Sequence, residues 1–117
     1  MFIRIPNKNI FPMIDINEQG IGYTDFKKIS ENQSDFIKYL IKTKIDFIID
    51  CTELSPRKEF IEKIFEHQKN VKKCLAIVIA NEINLKCNKE WNIIPTKIEA
   101  YDFISFEQIQ REIGYKS

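Results

Sequence analysis

The stretch Asp50-Cys51-Thr52-Glu53-Leu54-Ser55-Pro56-Arg57 gathers carboxylates, a thiol, hydroxyls and a guanidinium into one short segment. It follows an apolar run and precedes a helical stripe, so it sits where a strand hands over to a helix. Ser55-Pro56 reads as the helix start, with serine as the cap and proline at the first helical position, where its missing N–H costs nothing. The free N–H groups at Ser55–Lys58 and the positive end of the helix dipole would favour an anion. A phosphate on Ser55 would suit that dipole. The plain alternative is that Ser55 only caps the helix and the acids solvate a loop. Asn81 and Glu82 follow the next apolar run, and a parallel sheet would bring them to the same edge as Asp50, Thr52, Glu53, Ser55 and Arg57.

Hydrolytic chemistry finds less support. His67 is the only histidine, whereas a two-metal hydrolase needs several histidines and aspartates. No metal site and no cofactor are expected. A Cys–His nucleophile would pair His67 with Cys51, Cys74 or Cys87, and nothing in their spacing suggests it. Asp46 and Asp50 share one face of one strand but stand too far apart to share a proton. The glycines are Gly20, Gly22 and Gly114, which make no phosphate-binding loop. The nine phenylalanines fall mainly on helix stripes, as core residues do, and not on an exposed strand face beside a basic stripe.

The 117 residues are enough for one domain with a core of its own. A net charge of +1 provides no field to draw in nucleic acid or an anionic membrane, and neither is expected as a partner. The cysteines are odd in number and form no C-x-x-C pair. Cys51 and Cys74 border apolar runs and read as reduced core residues, an expectation that fits the cytoplasm. No apolar stretch approaches the ~18 residues of a membrane span. Met1–Pro6 does not read as a secretory leader.

These candidate residues need elements to hold them. Residues 1–30 read as extended, with a strand over Ile10–Ile16, a break at Gly20-Ile21-Gly22, and either a strand over Tyr23–Ile29 or a helix from Thr24. Ser34 is the expected cap of a helix reaching about residue 44, with Phe36, Ile37, Leu40 and Ile41 on its buried face. Ile45–Asp50 reads as a strand and 56–70 as a helix. The run 74–80 is apolar throughout, the mark of a strand covered on both faces. Together they form a βαβ unit with a parallel crossover. Residues 81–90 hold at most a helical turn. A short strand at 91–94 runs into Pro95. Thr96 and Glu99 then have the spacing of a capping box. Ser105 and Gln108 repeat that spacing, so the last helix is expected to break there, leaving a short helix over 105–114 that stops at Gly114. The patch Phe106, Ile109, Ile113 and Tyr115 could dock on the domain's own sheet, on a partner or on a second copy.

Ile48-Ile49-Asp50-Cys51-Thr52, the helix start at Ser55 and the tail Ile93-Ile94-Pro95-Thr96-x-x-Glu99-Ala100 together resemble a STAS domain, the fold of anti-sigma-factor antagonists. The tail from Phe103 to Gly114 is similar to that of short bacterial STAS-like chains, some of which carry the name ribonuclease Z. The resemblance covers roughly residues 34–114. It implies an α/β fold over 1–117, a single STAS-like domain with a mixed sheet of four or five strands. It also implies a regulatory protein-interaction module with a protein partner and a homodimer as one arrangement. The alternative is a hydrolase or nuclease-associated protein under the ribonuclease Z name, without that enzyme's metal ligands. In regulated STAS proteins a D-S-[ST]-G motif presents a phosphorylatable serine. Here that motif is missing around Ser55, Pro56 restricts the backbone, and Asp50 and Glu53 would repel a phosphate. Binding through Asp50–Arg57 without a phosphorylation switch is therefore expected.

Overall fold

The computed structural model describes residues 14–79 and 91–114. Strand β1 (Asp15–Ile16) turns into β2 (Ile21–Asp25). Asn17 makes the turn: its Oδ1 accepts from the N–H groups of Gln19 and Ile21, and Gly20 takes φ 75°. Helices α1 (Phe26–Ile29) and α2 (Gln33–Thr43) lead to β3 (Asp46–Asp50), and α3 (Lys58–Asn70) leads to β4 (Leu75–Val78). Strand β5 (Asn92–Ile94) and α4 (Lys97–Glu112) complete the described chain.

The five strands form one mixed sheet in sequential order, β1-β2-β3-β4-β5. Strand β1 is antiparallel to β2, and β2 through β5 are all parallel. The apolar run at 74–80 contains β4, which lies inside the sheet beside β3 as expected. Parallel strands put alternate side chains on opposite faces, and two cores result. Phe47, Ile49, Leu75 and Ile77 face Phe36 and Leu40 of α2 and Phe60, Ile61 and Ile64 of α3. Phe36 meets Phe47 edge-on, with ring centroids 5.3 Å apart. Ile21, Ile48, Ala76 and Val78 form the other core with Ala100 and Ile104 of α4. Small residues at Ala76 and Ala100 allow a helix to lie close to the strands. Gly22 makes room on the first face for the Phe47 ring of β3, since a Cβ there would come within 2.6 Å of it.

Several boundaries differ from those read in the sequence. Gly20 does turn the chain, but Ile21 and Gly22 belong to β2 and do not break it. Residues 1–30 are not all extended: Asp25 caps α1 by accepting from the Lys27 N–H at 3.0 Å, and Phe26 and Ile29 are buried on one helical turn. Of the expected strand over Ile10–Ile16, Asp15 and Ile16 are in β1 and residues 10–13 lie outside the described residues. Asn32 precedes α2 where Ser34 was expected to, and its side chain makes no capping bond. The connection at 81–90 and Tyr115 also lie outside the described residues.

The largest correction concerns the end of the chain. There is no separate helix over 105–114, because α4 runs unbroken from Lys97 to Glu112. A serine three residues before a glutamine marks a helix start only where the chain is free to bend. No glycine or proline interrupts α4, and the Gln108 side chain is used elsewhere. Thr96 does cap α4: its Oγ1 accepts from the Glu99 N–H at 3.1 Å. The Thr96 hydroxyl in turn donates to the Glu99 carboxylate at 3.2 Å, a variant of the reciprocal bond expected of a capping box. Such a cap contributes about 1 kcal/mol.

Candidate interaction surface

The carboxyl ends of β2 and β3 lie side by side, with Asp25 opposite Asp50 in register. Asp50 organises this edge. Its Oδ2 accepts from the Tyr23 hydroxyl at 2.5 Å. Its Oδ1 accepts from the Thr52 N–H at 3.0 Å and the Thr52 hydroxyl at 2.7 Å. Lys97 places its Nζ 4.1 Å from the centre of the Tyr23 ring, and the Tyr101 ring stacks with Tyr23 at a centroid distance of 6.2 Å. The first turn of α4 is thereby joined to the end of β2.

These contacts set the proton chemistry. Burial alone would raise the Asp50 pKa, but the bonds from Tyr23 and Thr52 and the charge of Lys97 outweigh it and hold the carboxyl below its usual range. Burial, the bond to Asp50 and its negative charge push the Tyr23 phenol above its usual value. The Cys51 thiol is pushed up to about 12, by burial first and then by Asp50 and Asp25. A thiol held there is protonated at neutral pH and is a poor nucleophile. Asp50 has both oxygens engaged and stays ionised. At Asp50, Tyr23 and Cys51 the edge therefore holds a fixed charge on a hydrogen-bonded frame.

Tyr23→Phe tests this account. Removing the hydroxyl should raise the Asp50 pKa, measurable by carbon-13 NMR titration of the carboxyl. A folded-state pKa below the unfolded one contributes stability above the unfolded value, and that contribution is lost as pH falls through the folded value. The variant should thus be less stable at neutral pH and lose less on acidification than the wild type. An unchanged Asp50 titration would show that the Tyr23 bond does not hold the carboxyl down.

The remaining predicted site residues are distributed unevenly. Thr52 is bonded to Asp50, and Glu53 meets Lys27 at 3.6 Å with both side chains largely in water. That exposed pair contributes at most a few tenths of a kcal/mol. Ser55 is exposed and does not cap α3. The helix starts at Lys58 with Arg57 at its N-cap, and no side chain bonds its first N–H groups. The reason lies in Pro56, which is buried. The backbone is still extended at Arg57 (φ −74°, ψ 151°), so the helix begins only after the proline ring has been packed. Arg57 lines a groove of about 240 Å³ between α2 and α3, together with Gln33, Ser34, Ile37, Phe60 and Lys63. Asn81 and Glu82 lie outside the described residues.

From the sequence, Asp46 is weighed only as a carboxylate partner of Asp50. It stands on the same face of β3 as Asp50 but at the opposite end, and it is only 2% exposed. Its Oδ1 accepts from the Cys74 N–H at 2.8 Å, and its Oδ2 accepts from Gln108 Nε2 and from the Arg111 guanidinium, each at 2.8 Å. Gln108 also donates to the Gln19 carbonyl, and Arg111 to the Lys72 carbonyl. The only signal in the sequence is that Gln108 and Arg111 are three residues apart and share a helix face.

Among the described residues no cluster of three or more histidine, cysteine or acidic side chains is arranged to hold a metal ion. His67 is half-buried on α3, and its Nε2 has no hydrogen-bond partner. No helix among the described residues is long and apolar enough to cross a membrane. No protein-family model, curated protein or solved structure matches this chain.

Proposed function

We propose that this chain is a non-enzymatic, STAS-like interaction module that binds a protein partner through the Asp50–Arg57 loop and acts in regulation without a phosphorylation switch. One observation carries the reading. The chemically active groups at the strand ends are tied to one another, while Thr52, Glu53, Leu54, Ser55 and Arg57 remain exposed on the loop beside them. Leu54, an apolar side chain 41% exposed between Glu53 and Ser55, is the natural anchor for a partner. The engaged state of Asp50 and the protonated Cys51 thiol speak for a binding surface over a hydrolase.

The absence of a switch rests on Ser55. It makes no capping bond to α3, so a phosphate there would start outside the helix end that could best hold it. The experiment is affinity capture of the partner from the native cell, followed by titration with variants. Leu54→Asp and Arg57→Glu should weaken binding by roughly tenfold or more, the size expected of interface anchors. Ser55→Ala and Ser55→Asp should bind like the wild type. Loss of binding in Ser55→Asp but not in Ser55→Ala, with both folded, or phosphoserine at 55 in cells, would establish a switch and overturn this part of the proposal. Retention of the partner by Leu54→Asp and Arg57→Glu would move the interface elsewhere.

A further inference from the structure

Helix α4 is apolar on two opposite sides. At 3.6 residues per turn, Ala100 and Ile104 point to one side and Ile98, Phe106, Ile109 and Ile113 to the other. The first side is buried against the sheet. The second is open: Ile98 is 75% exposed, Phe106 57%, Ile109 54% and Ile113 71%. This stripe runs about 22 Å along the helix at the usual rise per residue. It accounts for most of the large exposed apolar side chains among the described residues.

The charges of α4 are sorted in the same way. Its two cations are both turned inward, Lys97 over the Tyr23 ring and Arg111 onto Asp46. Of its four acids, Glu99, Asp102 and Glu112 are exposed and Glu107 is half-buried, and Asp102 lies within the open stripe. The nearby Lys73 lines the groove on the sheet side of α4, with Asp46 and Glu112. The outer face is therefore a long apolar ridge with acidic neighbours. A second copy would set acids against acids, and anionic lipid or nucleic acid would be repelled.

We infer that the outer face of α4 docks an amphipathic helix of another protein, one whose apolar stripe is flanked by lysine and arginine. Helix-on-helix packing buries such a ridge, and opposite charge fixes the partner's identity and register. The surface shares no residue with the Asp50–Arg57 loop, so it stands or falls independently of the function proposed above.

The probe is a synthetic peptide of α4's length with leucines along one side and lysines flanking them. A matched peptide carries glutamates in place of the lysines. Fluorescence anisotropy should show the lysine peptide binding the full chain and the glutamate peptide failing to bind. Phe106→Ser combined with Ile109→Ser should weaken binding by at least roughly tenfold, the effect of losing interface anchors. Asp102→Lys combined with Glu112→Lys should do the same. Both double variants should keep the wild-type circular dichroism, because all four altered side chains are exposed. Leu54→Asp should bind the peptide normally. Failure of the lysine peptide to bind, equal binding of the glutamate peptide, or unchanged binding by either double variant would overturn the inference. So would a wild-type dimer in sedimentation that Phe106→Ser dissociates, or binding to phosphatidylglycerol or phosphatidylcholine vesicles that the same substitution removes.

Discussion

Ile77→Asp is expected to leave the chain unfolded at 25 °C. Ile77 is fully buried in β4, paired in register with Ile49 of β3 and Ile93 of β5, on the face covered by α2 and α3. Truncating such a side chain costs about 2–5 kcal/mol through lost burial and the cavity left behind. A carboxylate with no partner in that core adds several kcal/mol more, whether it stays charged or takes up a proton. The sum is comparable to the whole stability of a small domain, about 5–15 kcal/mol. Two controls separate this from a general intolerance of substitution. Ile77→Val should cost only about 1 kcal/mol. Ile98→Asp places the same carboxylate at a side chain that already stands in water, and should leave the urea midpoint nearly unchanged. Circular dichroism and urea unfolding of the three variants decide the matter. A folded Ile77→Asp with a wild-type midpoint would mean that β4 is not interior.

The interior position of β4 was legible because burial on both faces removes polar residues from a strand, and 74–80 has none. The α/β class followed from the same segment, its neighbour at 45–50 and the helical stripe between them. Thr96 was legible because a cap is a local bond whose partners are three residues apart. Ser55 was misread for a physical reason. Local preference placed Ser-Pro at a helix start, but burial of the Pro56 ring against the domain moved the start to Lys58. Tertiary packing overrides propensity in such cases. The join at Ser105 failed likewise: Gln108 reads as half of a capping pair only until Asp46 and Gln19 are seen to claim its amide. Of the site, the strand-end cluster around Asp50 could be drawn from topology. Tyr23, Lys97 and Tyr101 could not, since they reach that edge only once α4 has crossed the sheet.

Asp46 carries the second large effect. Asp46→Ala should destabilise the domain by about 3 kcal/mol, near the lower end of the range for breaking a buried ion pair. The substitution strands the Cys74 N–H and leaves the Gln108 amide and the Arg111 guanidinium with only their bonds to the Gln19 and Lys72 carbonyls. The Arg111 side chain is 37% exposed and can turn to water, which keeps the cost from rising further. Arg111→Ala leaves the opposite imbalance, a carboxylate in a dry position with only Gln108 and the Cys74 N–H to hold it. It should cost a comparable amount. Arg111→Lys should not restore stability, because one ammonium cannot reproduce a planar fork that reaches Asp46 and the Lys72 carbonyl together. The double variant Asp46→Ala with Arg111→Ala should then be more stable than the sum of the single losses by about 1 kcal/mol or more, the signature of directly coupled groups. Amide exchange supplies a readout that a uniform loss of stability would not move. These bonds fasten the second half of α4 to the first residue of β3, so exchange should quicken most from Ser105 to Glu112 and least in β3 and β4. Additive single losses, or exchange that rises evenly along the chain, would show that Asp46 is a buried charge without a fastening role.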